Sequence, residues 1–336
     1  MTDMNLNWFV DLYAKLAGFE PWFSLALFFA ASAVMIWRLG VLESRGLEGT
    51  VLGTLIMPYC SGLSNLIFAW VMGRSGRNGS LVLENCLVNN VTNMTLLIGL
   101  PALIWGLEVL PAGKNRKTKS RRNSQSRIDH LSLLLTLIAV IFFTGAAWAL
   151  ARDGRLDFGD GLVLVGLFLF WQLFHVFDVL KSNVIKGRRM SRLIFVELVI
   201  IIACGYGVFT GIENLVAWIP KTGSGFFNYS RLGWLSGILM VIPNAMLALY
   251  YAHRKRPDVV LSSQIGDGHI CIPMCVGLFA LFCPIGIVPY FQTGVFLILG
   301  ACLVQLVFLG ILGRLPRVMG ALMVGAYFVF LYKGLP

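Results

Sequence analysis

Apolar residues fall along this chain in long runs with short polar stretches between them. The runs have the length of a bilayer-crossing helix, roughly 20 residues, and they predict ten of them. The first covers Pro21 to Leu42, after a short amphipathic segment around Trp8 to Leu16. The second covers Gly49 to Gly73, interrupted by Pro58 and Gly62. The third runs from Ser80 to Leu110, with Pro101 placed to bend or end it. The others are His130 to Ala151, Gly159 to Leu180, Leu193 to Thr210, Leu232 to Ala252, Val259 to Leu281, Ile285 to Leu312 and Leu315 to Tyr332. Gly211 to Arg231, with Trp218, Pro220 and a Gly/Ser tract, reads as a loop at a membrane interface.

Within this pattern two stretches carry polar residues at helical spacing. The first is Pro58 to Leu100. Its second half places Asn85, Asn89 and Asn93 four residues apart, on one face of a helix, and Ser61 and Asn65 lie on the preceding segment. The second stretch is Gly237 to Phe279, with Ser263, Asp267, Cys271 and Cys275 at the same spacing. Laid over each other, Asn65 falls on Asn244, Asn89 on Asp267 and Asn93 on Cys271. The closing Gly99-Leu100 falls on Gly277-Leu278. The first copy needs one extra residue in its connecting loop. The chain therefore contains an internal repeat.

Composition makes the membrane reading firm. Of the 336 residues 57% are hydrophobic and 13% charged, against about half and about a quarter in soluble chains; the mean hydropathy is +0.79. The net charge of +11 reads as a topology signal and not as a nucleic-acid footprint. Lys and Arg concentrate in the loops after the odd-numbered helices: 114–127, 181–192, 254–256, and Arg314 with Arg317. The positive-inside rule puts those loops in the cytoplasm and both termini outside, in a plasma or inner membrane. The N-terminal residues carry neither a basic region nor a small-residue cleavage site, so no signal peptide is expected.

Five helices per half is an odd number, so the halves must cross the membrane in opposite directions. The expected organisation is a first half at 1–180, a basic cytoplasmic linker at 181–192 and a second half at 193–336. The seven cysteines lie almost wholly in apolar segments and read as small buried hydrophobes without a disulfide framework.

The crossing of the two stretches is expected to gather Ser61, Asn65, Asn89, Asn93, Asn244, Asp267 and Cys271 as an ion-binding set. Carboxamide and carboxylate oxygens suit a hard cation, whereas a thiol favours softer ions. Asp267 is the sharpest member, because a carboxylate at bilayer depth costs about 2.5 kcal/mol or more and is a functional candidate by default; its bland alternative is a neutral, protonated Asp bonded to a neighbouring amide. The bland alternative for the amides is interhelical hydrogen bonding, worth about 0.6–2 kcal/mol each.

Several other polar residues are weaker candidates. His269, two residues from Asp267, falls off its face. Glu84 begins the third helix, either deep or at headgroup level. His175, Asp178, Lys181 and Glu197 read as a polar patch at helix ends in which Lys181 pairs with an acid, with a proton relay as the alternative. Cys271 and Cys275 share a face, but no further ligand stands at metal spacing. No phosphate-binding loop, nucleophile–base pair or closed metal motif appears, so the chain is not expected to be an enzyme. No cofactor is expected beyond a bound monovalent cation held by Asp267, Asn65 and Asn244.

These residues also carry a family likeness. The layout resembles the cation/calcium exchanger superfamily, which includes the sodium/calcium exchangers. That family has repeats of the form GTSLPE followed by PD-x-x-x-GN-x-x-GSN-x-x-N. Here the copies read CSGLSN with LVLENCLVNNVTN, and MVIPN with RPDVVLSSQIGDGHIC. Pro243, Pro257-Asp258, Gly266, Gly99 and Gly277 match the pattern. The resemblance implies an all-α polytopic membrane protein of about ten helices in two inverted five-helix repeats. It places the family's two glutamates at Asn65 and Asn244, its serine pair at Asn89 and Asp267, and its third polar pair at Asn93 and Cys271. Of the residues that help coordinate sodium, Ser61 survives, while Gly62, Met240 and Val241 bring no side-chain oxygen. The usual acids are thus replaced and one, Asp267, is added.

The function this implies is a secondary cation transporter or antiporter working by alternating access. Its ion choice is shifted toward a monovalent cation or a proton and away from calcium. The alternative is a non-transporting membrane subunit or scaffold that keeps the exchanger fold. In either case the lipid bilayer is a partner, and the basic loops at 114–127 and 181–192 offer docking to a protein or to anionic lipid.

Overall fold

Two helices that carry amides and an acid along their length are wrapped by the rest of the chain. The computed structural model describes residues 19, 21–44, 57–76, 78–110, 120–186, 193–222 and 231–334. Ten helical stretches are described in chain order. They are α1 (Trp22–Ser44), α2 (Met57–Arg74), α3 (Ser80–Trp105), α4 (Ser120–Leu150), α5 (Phe158–Lys186), α6 (Leu193–Thr222), α7 (Leu232–His253), α8 (Pro257–Ala280), α9 (Phe291–Leu312) and α10 (Arg317–Gly334). Among the described residues six helices are long and apolar enough to cross a membrane: those at α3, α7, α8 and α9, and spans within α4 and α6. The fold is all-α and polytopic.

Burial separates the central helices from the outer ones. In α3 and α8, 78% and 89% of the apolar window is enclosed, against 22% in α6. A helix that carries amides among its apolar residues is stable in a bilayer only where protein, not lipid, surrounds it. α3 and α8 meet that condition. α3 packs on α7 and α10, and α8 packs on α2 and α5.

Both central helices widen at mid-length into a π-helical turn, Thr92–Leu97 in α3 and Cys271–Val276 in α8. In α3 two threonine hydroxyls donate to the preceding turn, Thr92 to the Val88 carbonyl at 2.7 Å and Thr95 to that of Val91. In α8 Pro273 brings no N–H to the ladder, which suits a turn where the regular bonding is broken.

Small residues bring the outer helices close. A Cβ at Gly99 would stand 3.0 Å from the Gly320 carbonyl, joining α3 to α10. A Cβ at Gly161 would stand 2.8 Å from the Gly277 carbonyl, joining α5 to α8. Such close backbone approach is the usual packing device between helices in lipid.

Four short strands complete the fold: β1 (Leu107–Glu108), β2 (Arg155–Leu156), β3 (Ile285–Gly286) and β4 (Arg314–Leu315). They pair antiparallel, β1 with β4 and β2 with β3. Gly106 and Gly313, both at positive φ, end α3 and α9 and turn the chain into β1 and β4.

Several sequence-based boundaries are corrected. The basic loop expected at 114–127 is helical from Ser120, and the linker expected at 181–192 is helical through Lys186. Residues 114–119 and 187–192, like the amphipathic segment at Trp8 to Leu16 and the start of the second helix at 49–56, lie outside the described residues. Hydropathy marks where a helix leaves lipid, and Arg, Lys and Gln are good helix formers that let it continue into water.

The loop expected from Gly211 is helix as far as Thr222, because Ile212, Leu215 and Val216 keep burying a helical face. The third and ninth helices are shorter than expected, their apolar ends at Leu107 and Ile285 belonging to strands.

Candidate functional site

The site begins with the bend of α8 around its π turn. Asp267 stands just before that turn and is fully buried. Its Oδ2 accepts three carboxamide N–H bonds: from Asn89 at 2.7 Å, from Asn93 at 2.5 Å and from Asn244 at 3.1 Å. Asn89 and Asn93 come from α3 on either side of its own π turn boundary, and Asn244 follows Pro243 in α7. Three helices therefore meet at one oxygen atom. The Asn89 amide also donates to Cys271 Sγ at 3.1 Å.

The Oδ1 atoms of Asn89 and Asn93 are buried and bond no described residue, and neither Oδ1 nor Nδ2 of Asn65 does. Asn65 lies on α2 one turn beyond Gly62, whose Cα faces the other carboxylate oxygen, Oδ1 of Asp267. Gln264 adds a further amide, donating to Ser263 Oγ at 3.1 Å and to the Asn244 carbonyl at 3.4 Å, with its own Oε1 buried and unbonded.

A void of about 10 Å³, close to the minimum for one water, touches Asn244 and is lined by Ser32, Ser64 and Pro243. A larger cavity of about 350 Å³ between α1 and α7 shares Ser32, Ile36 and Pro243 with it. The second half of the site thus abuts a path of apolar walls and serine hydroxyls.

Of the sequence-based set, Asn89, Asn93 and Asn244 bond Asp267, and Cys271 joins them through Asn89. Asn65 is buried in α2 but makes no hydrogen bond to Asn244 among the described residues. The side chain of Ser61 lies outside the described residues, as do those of His175, Asp178 and Lys181.

Asn85 shares the face of Asn89 but turns to α7, donating to Ser236 Oγ at 2.9 Å and to Met240 Sδ at 3.5 Å. Ser263 bonds its own helix at the Val260 carbonyl. His269 is buried away from Asp267, its ring 6.4 Å from that of Trp171.

Two acids found other company. The Glu84 carboxyl is buried against Tyr290, whose hydroxyl donates to it. Glu197 pairs with Arg38 of α1 at 3.4 Å. Sequence reasoning passed over Arg38 and Gln264, and met Gly62 only as a break in the second helix and a position without a side-chain oxygen. Gln264 carried a signal, a long amide in an apolar helix; the other two are informative only through their partners. Among the described residues no three His, Cys, Asp or Glu side chains converge as a metal centre.

Residues 22–177 match the family model described as sodium/calcium exchanger protein. Over that stretch the chain is similar to sodium/calcium exchanger proteins. Members of this family are transporters and not enzymes. The exchanger fold extends over the whole chain: structures of the sodium-calcium exchanger NCX_Mj superpose along it. One, soaked with sodium and strontium, has a TM-score of 0.66 at 18% identity, covering 94% of this chain and 98% of that one. Another, soaked with neither sodium nor calcium, gives 0.64 at 17% identity over 92% and 98%. At these identities the likeness carries the exchanger fold. No curated protein matches the chain by sequence.

Proposed function

We propose that this chain moves a monovalent cation or a proton by alternating access around Asp267, and that it does not carry calcium as its main ion. The observation that carries the reading is one fully buried carboxylate met by amides from α3 and α7, with the Asn89 and Asn93 amide oxygens buried and bonded to none of the described residues. An amide turned by half a rotation about its terminal bond presents oxygen where nitrogen stood. A cation arriving at Asp267 would recruit Asn89, Asn93 and Asn65 in that way.

Charge supports the choice of ion. At an effective dielectric near 20, a unit charge at 4 Å is worth about 4 kcal/mol per unit of ion charge, an upper-end figure. A dehydrated divalent ion needs several such charges, and here Asp267 supplies one.

Alternating access follows from two inverted halves, for which three features speak. Asn89 and Asp267 correspond in the repeat, the π turns fall at matching places, and β1 and β2 pair with β4 and β3 in exchanged order. The odd loops then face the cytoplasm and both termini face outward, with basic residues at 114–127 and 181–192 available to anionic lipid or a protein partner.

A second reading has its own observation. The three N–H groups already satisfy Asp267 Oδ2 without any ion, as they would in a subunit that kept the fold and lost transport. Ion flux in proteoliposomes separates the two. Sodium-, potassium- or proton-driven flux that Asp267→Asn abolishes supports the transporter; a protein with no flux and no ion-dependent stabilisation supports the subunit.

A further inference from the structure

Gly62 of α2 lies directly against the acid of the site. A Cβ built on it would stand 2.9 Å from Asp267 Oδ1 and 3.0 Å from Ile270 Cγ2. Both are well inside the roughly 3.5–4.0 Å at which non-bonded heavy atoms rest. The two oxygens of a carboxylate are held in one rigid plane. Pressure on Oδ1 therefore moves Oδ2, and Oδ2 is where the amides of Asn89, Asn93 and Asn244 converge from α3 and α7. With donors fixed on two other helices, no displaced position keeps all three bonds at 2.5–3.1 Å.

We infer that Gly62 is the positioning residue of the site: its missing side chain is the space that admits a carboxylate at position 267 and sets its orientation toward the three amides. This rests on the reading of Asp267 as the cation ligand. Glycine here answers a packing demand and not a backbone one, since Gly62 lies inside the regular helix of α2. A larger residue at 62 is compatible only with a shorter one at 267, so the two positions set each other's size and thereby the charge of the site.

The test is a double-mutant cycle on the full chain in nanodiscs, with Gly62→Ala, Asp267→Ala and the pair. Thermal unfolding is read without added ion, then in sodium, potassium and proton titrations. Gly62→Ala is expected to lower the midpoint of the wild type by roughly 3–10 °C and to lower that of Asp267→Ala far less. It should also weaken the wild type's ion-dependent stabilisation at least tenfold in concentration. An equal penalty in both backgrounds overturns the inference, because the clash would then lie with Ile270 or the backbone.

If Asp267→Asn removes the ion response while Gly62→Ala leaves it intact, the ion site stands and the positioning role falls. If the wild type responds to no ion but the cycle still shows coupling, the positioning role stands and the ion reading falls. Should Gly62→Ala fail to fold, Asp267→Ala in the same chain is expected to restore folded yield, and no rescue counts against the inference.

Discussion

Asn89 and Asp267, which hold the same place in the two copies of the repeat, touch each other: the amide of one donates to the carboxylate of the other at 2.7 Å. Two equivalent residues can meet only where the relation between the copies passes through them. The acid of the site therefore lies at the junction of the repeats, and its partner there is an amide where a second acid would repel it. That difference between equivalents leaves the centre of the molecule with one carboxyl group where two would stand.

The charge argument gives the first prediction. Asp267→Asn keeps the shape of the side chain and removes its charge. It should abolish stabilisation by sodium, potassium or protons in calorimetry or thermal-shift titration. Wild-type protein should show no micromolar affinity for calcium, and finding such affinity would contradict the single-charge account.

Amide deletions give the second. Asn93→Leu and Asn244→Leu each remove one donor to Asp267 Oδ2. Each should cost about 0.6–2 kcal/mol of stability, as interhelical hydrogen bonds in membranes do. The same variants should shift the concentration of cation needed for stabilisation. Asn85→Leu, whose amide turns to Ser236, should lower stability without moving the ion response.

A third prediction concerns α1 and α6. Arg38 and Glu197 pair at 3.4 Å, and the Glu197 side chain is 2% exposed. Arg38→Leu removes one cation from that buried acid and should lower stability by roughly 1–3 kcal/mol. Arg38→Leu with Glu197→Leu should recover most of the loss. Thermal unfolding of the two variants decides it, and an equally unstable double variant would show that the pair is not the cause.

The fourth is a pH effect outside the membrane spans. Burial first, and then the adjacent Glu84 carboxyl, push the Tyr290 hydroxyl above its ordinary range. Folding therefore favours the protonated phenol. Its contribution is complete below the unfolded value, about 10, and is lost as pH rises beyond it. Stability should fall above pH ~10 in the wild type and fall less in Tyr290→Phe. That variant should also lose about 1–3 kcal/mol at neutral pH, because Glu84 is left with a missing donor.

Orientation supplies the fifth. Arg155 in β2 and Arg314 in β4 are exposed, in the two separate strand pairs. With the native cysteines replaced, single cysteines at 155 and 314 should react with a membrane-impermeant thiol reagent from opposite sides. Labelling of both from one side would exclude the inverted arrangement.

Much of this centre was legible in the sequence because polar residues at helical spacing within apolar runs have few innocent explanations. Asn89, Asn93 and Asp267 stood out in that way and Asn244 through its register with Asn65; of those register pairs Asn89 and Asp267 hydrogen-bond each other, whereas Asn65 and Asn244 do not. Asn85 obeyed the same spacing and went elsewhere, since a face of a helix is wide enough to touch two neighbours. Gly62 was unreadable, because the meaning of an absent side chain depends on what fills the space. Arg38 and Glu197 are 159 positions apart, and no periodicity links them. The helix ends at Ser120 and Thr222 escaped because hydropathy records lipid and not hydrogen bonding, and strands of two residues are too short to show alternation.

The exchanged strand pairs have a consequence for how this molecule can be taken apart. Each of the four strands finds its only ladder partner, among the described residues, beyond the middle of the chain. Gly99 and Gly277 likewise close on helices from the far side of it. A polypeptide ending at Lys186 and another beginning at Leu193 would each expose unpaired strands and half of a polar centre, so neither is a folding unit alone. Produced together in one membrane, the fragments should assemble as obligate partners. In that sense the chain behaves as two interleaved subunits that happen to share a peptide bond.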